Sequence, residues 1–211
     1  MQNLPLIKHL GVVPYEPTWR AMQTANKSRA TGTPDEFWLL EHPPVFTLGL
    51  AGKYEHVLAP GDIPVIKIDR GGQVTYHGPG QLVVYLLLDM KKLGYGVKTL
   101  VKKIEQSVID LLTEYGIGSY RLAGMPGVYV NLNDADAKIA AIGLRVANHA
   151  TYHGLSLNID MDLEPFSRIN PCGYEGLAVT QVRNFGVADK MNVIGEKLVS
   201  RLKVNLYDMS S

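Results

Sequence analysis

The chain carries a single cysteine, Cys172, in the setting Asn170-Pro171-Cys172-Gly173-Tyr174. A free thiol titrates near ~8.5, so only about 3% is nucleophilic thiolate at pH 7. A nearby cation enlarges that fraction. The flanking proline and glycine place the sulfur on a stiff, sharply turning loop rather than in a packed strand. The chemistry open to such a thiol is covalent catalysis. The plainer reading is a buried, inert cysteine, the usual state of a lone intracellular thiol. A candidate cation is Lys138, which opens the apolar segment Lys138-Ile139-Ala140-Ala141-Ile142-Gly143. Among small and aliphatic neighbours it would serve as a base or as a charge that stabilises a thiolate. Taken alone, a solvated lysine beside a polar turn explains it as well.

Two further stretches combine polar side chains with glycine. Arg70-Gly71-Gly72-Gln73-Val74-Thr75-Tyr76-His77-Gly78-Pro79-Gly80-Gln81 has the composition of a loop that lines a ligand. Its glycines free backbone N–H groups to face that ligand, and Arg70 supplies a permanent cation. The alternative is a pair of tight turns flanking a short strand. Thr151-Tyr152-His153-Gly154-Leu155-Ser156 repeats the Thr-Tyr-His-Gly of positions 75–78. There a histidine is a metal ligand, a base or, most commonly, a structural hydrogen-bonder. The glycine spacings match neither a dinucleotide fingerprint nor a Walker loop. The six histidines show no zinc-site spacing, and one cysteine cannot build a thiolate site, so no metal is expected.

The elements that must position these groups are legible in outline. Leu6–Val13, Glu36–Glu41, Val65–Ile68 and Leu82–Leu88 read as strands, the last as a buried one. Val128–Leu132, Lys138–Val146 and Thr151–Ile159 follow, with a hairpin predicted at Asn133-Asp134. Helices are expected over Trp19–Ala30, with Pro17 and Thr18 at its start, and over Val97–Tyr115, with Gly116 as its cap. A third is expected over Asn192–Leu202, with a final strand at Val204–Tyr207. Strands outnumber helices and many neighbours form hairpins. The expected class is α+β, a single domain over 1–211 with mixed or antiparallel sheets flanked by helices.

Composition bounds the function. Of 211 residues, 46% are hydrophobic and 19% charged, and 21 basic against 20 acidic residues leave a formal charge of +1. That balance argues against a nucleic-acid binder driven by electrostatics and against a disordered chain. With one cysteine, no intrachain disulfide forms. No stretch reads as a signal peptide. The strongest apolar run, Leu82–Leu88, is far short of the ~20 residues of a membrane span, so a cytoplasmic protein is the expectation. Lys91, Lys92, Lys98, Lys102 and Lys103 cluster about the start of the long helix. They form either a solvated face or a docking surface for an acidic protein.

Taken in order, Arg70 to Gln81, Lys138 to Gly143, Tyr152-His153-Gly154-Leu155-Ser156-Leu157-Asn158 and Ile169 to Tyr174 resemble the lipoyl(octanoyl) transferases of lipoate biosynthesis. The likeness runs from about Glu41-His42-Pro43-Pro44 to Gln181. It implies a catalytic core like that of the biotin and lipoate protein ligases. The implied reaction moves an octanoyl group from octanoyl-acyl carrier protein to a lysine on a lipoyl domain of 2-oxoacid dehydrogenase or glycine cleavage proteins. By that likeness Cys172 holds the acyl group as a thioester, while Lys138 lowers the thiol pKa and serves as base. The implied substrate-binding residues are Arg70, Gly71, Gly72, Gln73, Val74, Thr75, Tyr76 and His77, then Ala141, Ile142 and Gly143, then Gly154, Leu155 and Ser156. Exchange between thioesters is nearly balanced and thioester to amide is downhill, so neither ATP nor another cofactor is expected. The link Ala147-Asn148-His149-Ala150 departs from the basic, glycine-containing one common in relatives, which would touch partner contacts rather than chemistry. The rival readings are an ATP-dependent lipoate or biotin ligase, a non-catalytic acyl-binding protein and a cysteine hydrolase.

Overall fold

The computed structural model describes residues 4–207, the side chain of Cys172 excepted. Strand β6 (Gln81–Leu87) is buried at every position. Its two faces explain why. Leu82, Val84 and Leu86 pack into the main core, while Val83, Tyr85 and Leu87 pack into a second cluster with Met22 and Trp38. Such a strand needs a neighbour on each side, and it has β2 (Glu36–Glu41) and β10 (Ala150–Asn158), both antiparallel to it. The large sheet continues outward. β1 (Leu6–Val12) runs parallel to β2. On the other side lie β9 (Ala135–Ala147), β8 (Met125–Leu132) and β7 (Ser119–Leu122). A small second sheet joins β3 (Val45–Leu48) to β4 (Val65–Lys67) in parallel and to β5 (Val74–His77) in antiparallel.

Helices cover both faces. α3 (Val97–Glu114) presents Leu100, Ile104, Val108, Leu111 and Leu112 to the main core, and Gly116 follows its end at φ +72°. α4 (Met191–Tyr207) packs beside it through Ile194, Leu198, Val199, Leu202 and Leu206. The strand expected at Val204–Tyr207 is therefore the last part of α4. Leu206 stands four residues beyond Leu202 and continues the apolar stripe, so helical spacing wins over local β propensity. On the opposite face, α1 (Tyr15–Lys27) starts earlier than expected. Pro14 stands before its first turn and Pro17 within it, where a missing N–H costs nothing. α2 (Met90–Leu93) is a single turn capped by the Asp89 carboxylate.

Both two-residue hairpins, Asn133-Asp134 and Asn148-His149, hold positive φ at both central positions. That is the turn whose twist matches the strands it joins. β3 and β7 went unpredicted, because Pro43-Pro44 and Gly116–Gly118 read as breaks rather than as lead-ins to four-residue strands.

Candidate active site

Lys138 sits where β9 leaves β10. There β8 still pairs on one side, while the two-residue strand β11 (Ala178–Val179) takes the other in parallel, with Val179 opposite Lys138. The Thr180 amide donates to the Lys138 carbonyl at 3.0 Å. The register between β8 and β9 slips by one residue here. Val128 faces Ala140, but Tyr129 faces Lys138, so Ile139 is an extra residue in a bulge. A bulge re-aims side chains. Ala137, Ile139 and Ala140 all enter the main core, whereas Lys138 shares the opposite face with Ala141 and Gly143. Strict alternation would have sent Lys138 to the same side as Ala140.

Only 4% of Lys138 is exposed. Its Nζ donates to the Pro126 carbonyl at 3.2 Å and lies 5.1 Å from the centre of the Tyr129 ring. Gly127 makes room for it: a Cβ there would stand 3.2 Å from Lys138 Cε and 2.7 Å from the Ala140 carbonyl oxygen. The amide of Gly127 is held in turn by the buried Glu105 carboxylate at 3.0 Å.

A cleft of about 380 Å³ runs from Lys138, Met125 and Pro126 along β9 and β10 to Tyr15, Tyr85 and His153. Of the residues expected to bind substrate, Arg70, Gly71, Gly72, Gln73, Val74, Thr75 and His77 line it. So do Ala141, Ile142, Gly143, Gly154, Leu155 and Ser156. Tyr76 is the exception. It alternates away on β5 into a third apolar cluster with Phe46 and Phe166. The glycine-bearing stretch is thus both things weighed for it, a short strand between turns and a wall of the cleft. Arg70 is buried beneath that wall and donates to the Thr47 carbonyl at 2.7 Å and the Gly71 carbonyl at 2.9 Å.

The Cys172 side chain lies outside the described residues; its neighbours do not. Pro171–Gly173 forms a short 3-10 turn, with Tyr174 in the wall of the cleft. Pro171 and Lys138 border one small cavity of about 10 Å³, together with Thr75, Ser156 and Asn158. A Cβ on Gly173 would lie 3.2 Å from Gln73 Cγ. Gln73 itself accepts from the Lys53 amide at 3.1 Å and so ties that turn to the rim.

Several residues of the site went unnamed in the sequence reading. His77 donates from Nδ1 to Gln81 at 2.6 Å, Gln81 donates to Asn158 at 2.9 Å, and Asn158 donates to the Thr180 carbonyl at 3.0 Å. This chain of bonds fixes the segment beside Lys138. Burial pulls His77 down to about 3, so it stays neutral. Behind it, Tyr85 donates to His42 Nε2 at 2.7 Å while His42 Nδ1 donates to the Val13 carbonyl at 2.7 Å. Burial lowers His42 to about 4. Asp69 collects Trp19 at 2.8 Å, Gln23 at 3.2 Å, His153 Nε2 at 3.1 Å and the Tyr152 hydroxyl. Burial alone would raise its carboxyl, but those four donors hold it well below the usual range. Such partners leave no trace in a one-dimensional pattern. Gln81 and Asn158 at least stood inside the stretches already singled out.

Among the described residues no cluster of three metal-ligating side chains occurs, and no helix is long and apolar enough to cross a membrane. The site offers a protected amine, an apolar trough and a turn that carries the single thiol. Octanoyltransferases of Chromobacterium violaceum and Laribacter hongkongensis are 59% and 56% identical to the chain, each over 95% of both sequences. In fold the chain is similar to an archaeal bipartite lipoate protein ligase from Thermoplasma acidophilum, with a TM-score of 0.76 at 15% identity over 97% of this chain and 85% of that one. It is also similar to a biotin protein ligase from Aquifex aeolicus, with a TM-score of 0.57 at 13% identity over 98% and 70%. The model of the lipoyl protein ligase A/B catalytic domain matches residues 14–203, and the chain belongs to that family.

Proposed function

We propose that the chain is an octanoyltransferase of protein lipoylation that works through a thioester on Cys172. The observation that carries this reading is the placement of Lys138. A bulge turns it into the head of an apolar cleft, where it shares a small cavity with Pro171 of the Cys172 turn. The donor is an octanoyl-acyl carrier protein. The Cys172 thiol gives its proton to Lys138 and attacks the thioester carbonyl as the thiolate, the carbon–sulfur bond to the carrier breaks, and the carrier thiolate takes up the proton from Lys138. The acceptor is a lysine of a lipoyl domain. Its neutral amine attacks the Cys172 thioester, Lys138 receives the amine proton, and the carbon–sulfur bond breaks to return the Cys172 thiolate as the amide forms. Lys98 and Lys102 stand exposed beside Val97 and Val101 of the cleft wall, which supports an acidic protein surface docking there.

The test is intact-protein mass spectrometry after mixing with octanoyl-acyl carrier protein and no acceptor. Wild type gains one octanoyl group and Cys172→Ser gains none. An unmodified wild type, or an equal adduct on the serine variant, overturns the reading. The fold is shared with ligases, so the same assay is run with free octanoate and ATP. Product formed only under those conditions assigns the chain to the ligases.

A further inference from the structure

Glu105 is a charged side chain set among buried ones. It stands on α3 one turn beyond Val101, which with Val97 lines the cleft, and only 5% of it is exposed. Both carboxylate oxygens are bonded. Oε1 accepts from the Gly127 amide at 3.0 Å, and Oε2 accepts from Arg121 Nε at 3.0 Å. Arg121 of β7 also donates to the Lys102 carbonyl at 2.9 Å and to Gln106 at 2.8 Å, so the cation is fixed against the same helix. An ion pair of this kind adds little stability over well-packed apolar side chains, because desolvation offsets the attraction. Its use lies in what it holds.

What it holds is one peptide group. The Gly127 N–H and the Pro126 carbonyl belong to the same amide, and in a planar trans amide they point in opposite directions. The N–H meets Glu105, and the carbonyl accepts from Lys138 Nζ at 3.2 Å. Gly127, at φ +136°, gives the chain the turn that this orientation needs. A carboxylate on the amide hydrogen pushes electron density through the amide onto its oxygen. The Pro126 oxygen becomes the stronger acceptor, and an ammonium gains more from it than a neutral amine does. The Tyr129 ring, 5.1 Å from Nζ, favours the same form.

We propose that Glu105 is a positioning residue for the reaction: acting through the Pro126–Gly127 peptide group, it fixes the Lys138 amine and favours the form in which Lys138 carries the proton taken from Cys172. This rests on the octanoyltransferase reading, in which Lys138 takes that proton and passes it on. Glu105 touches neither the acyl group nor the thiol in this account. Its effect reaches them only through Lys138.

Cys172 is the single cysteine, so alkylation by iodoacetamide followed against pH reports its thiolate alone. The profile is measured on wild type, Glu105→Gln and Glu105→Ala, and on both substitutions in a Lys138→Ala background. Glutamine keeps an acceptor for the Gly127 amide and loses the charge, while alanine loses both. The rate at pH 7 is expected to fall about threefold in Glu105→Gln and about tenfold in Glu105→Ala, with the midpoint moving up by about half a unit and one unit. Octanoyl transfer at saturating octanoyl-acyl carrier protein should fall in parallel, while the half-saturating concentration stays within about twofold of wild type. In the Lys138→Ala background neither substitution should change the alkylation rate or midpoint, because an effect that runs through Lys138 vanishes with it. A purely structural Glu105 would lower the urea midpoint and leave the alkylation profile in place. Should alanine prevent folding, Glu105→Gln carries the same test. A wild-type profile in the Glu105 variants, or equal losses with and without Lys138, overturns the assignment. Absence of an octanoyl adduct on wild type, or a wild-type alkylation profile in Lys138→Ala alone, instead overturns the underlying reading.

Discussion

Asp69 shows how one side chain organises the end of the cleft away from Lys138. It holds Trp19 and Gln23 from α1 and Tyr152 and His153 from β10, so it clamps helix to strand across the floor. Burial and Asp69 together push the Tyr152 hydroxyl up to about 12, which keeps it a donor at any working pH. The sign of the pH effect follows. The donors hold the folded carboxyl below its unfolded value of about 3.9, so its contribution is complete above that value and fades as pH falls through the folded one. Asp69→Asn removes the titration. The gap in urea midpoint between wild type and Asp69→Asn is therefore expected to be largest near pH 6 and to shrink by pH 3. A gap that holds constant over that range would show that Asp69 is held by packing rather than by charge. At this scale the sequence revealed residue types but not partners. Cys172, Lys138, Arg70 and His77 announced themselves by setting, while Asp69, Tyr85 and Asn158 acquire meaning only through contacts from distant segments.

At the scale of elements, regular periodicity was legible and its interruptions were not. β6 and α3 follow their apolar spacing closely. The bulge at Ile139 and the kink at His153 do not appear in any pattern of hydrophobic residues, yet they aim the two ends of the cleft. The hairpin at Asn148-His149 is a simpler case. It needs positive φ at both positions, and His149 sits at +62° with no glycine to ease it. Left-handed backbone costs a non-glycine residue of order 1–2 kcal/mol, part of which glycine returns through its greater unfolded-state entropy. His149→Gly makes the turn Asn-Gly, the favoured pairing for this type. A gain of about 0.5–1 kcal/mol is expected, raising the melting temperature by roughly 1–4 °C for a chain this size. The Met90 amide bonds the His149 carbonyl, a contact that glycine keeps, so acylation of Cys172 should not change.

At the scale of the whole molecule, the α+β class follows from the sequence, but strand order does not. Parallel pairing of β1 with β2, and the insertion of β11 beside β9, depend on segments far apart in the chain. The end of the molecule is secured in the same long-range way. Asp35, just before β2, is buried and accepts from Arg29 of the segment after α1, from the Asp89 amide at 2.8 Å and from Tyr207 at the end of α4 at 2.8 Å. Its own carbonyl accepts from the Leu6 amide at 2.8 Å and so starts β1. Four separate parts of the chain thus meet on one residue. Removing the carboxylate strands the Arg29 guanidinium, whose side chain is only 9% exposed. An uncompensated buried charge of this kind costs about 3–5 kcal/mol. Tyr207→Phe removes one neutral donor and leaves Asp35 its other partners, a loss of about 1 kcal/mol. Urea denaturation should therefore rank Asp35→Ala well below Tyr207→Phe, and both below wild type, with one unfolding transition throughout. Equal losses in the two variants would mean that the α4 contact alone matters. A second transition in Asp35→Ala would mean that α4 and β1 can detach without unfolding the sheet that bears Lys138.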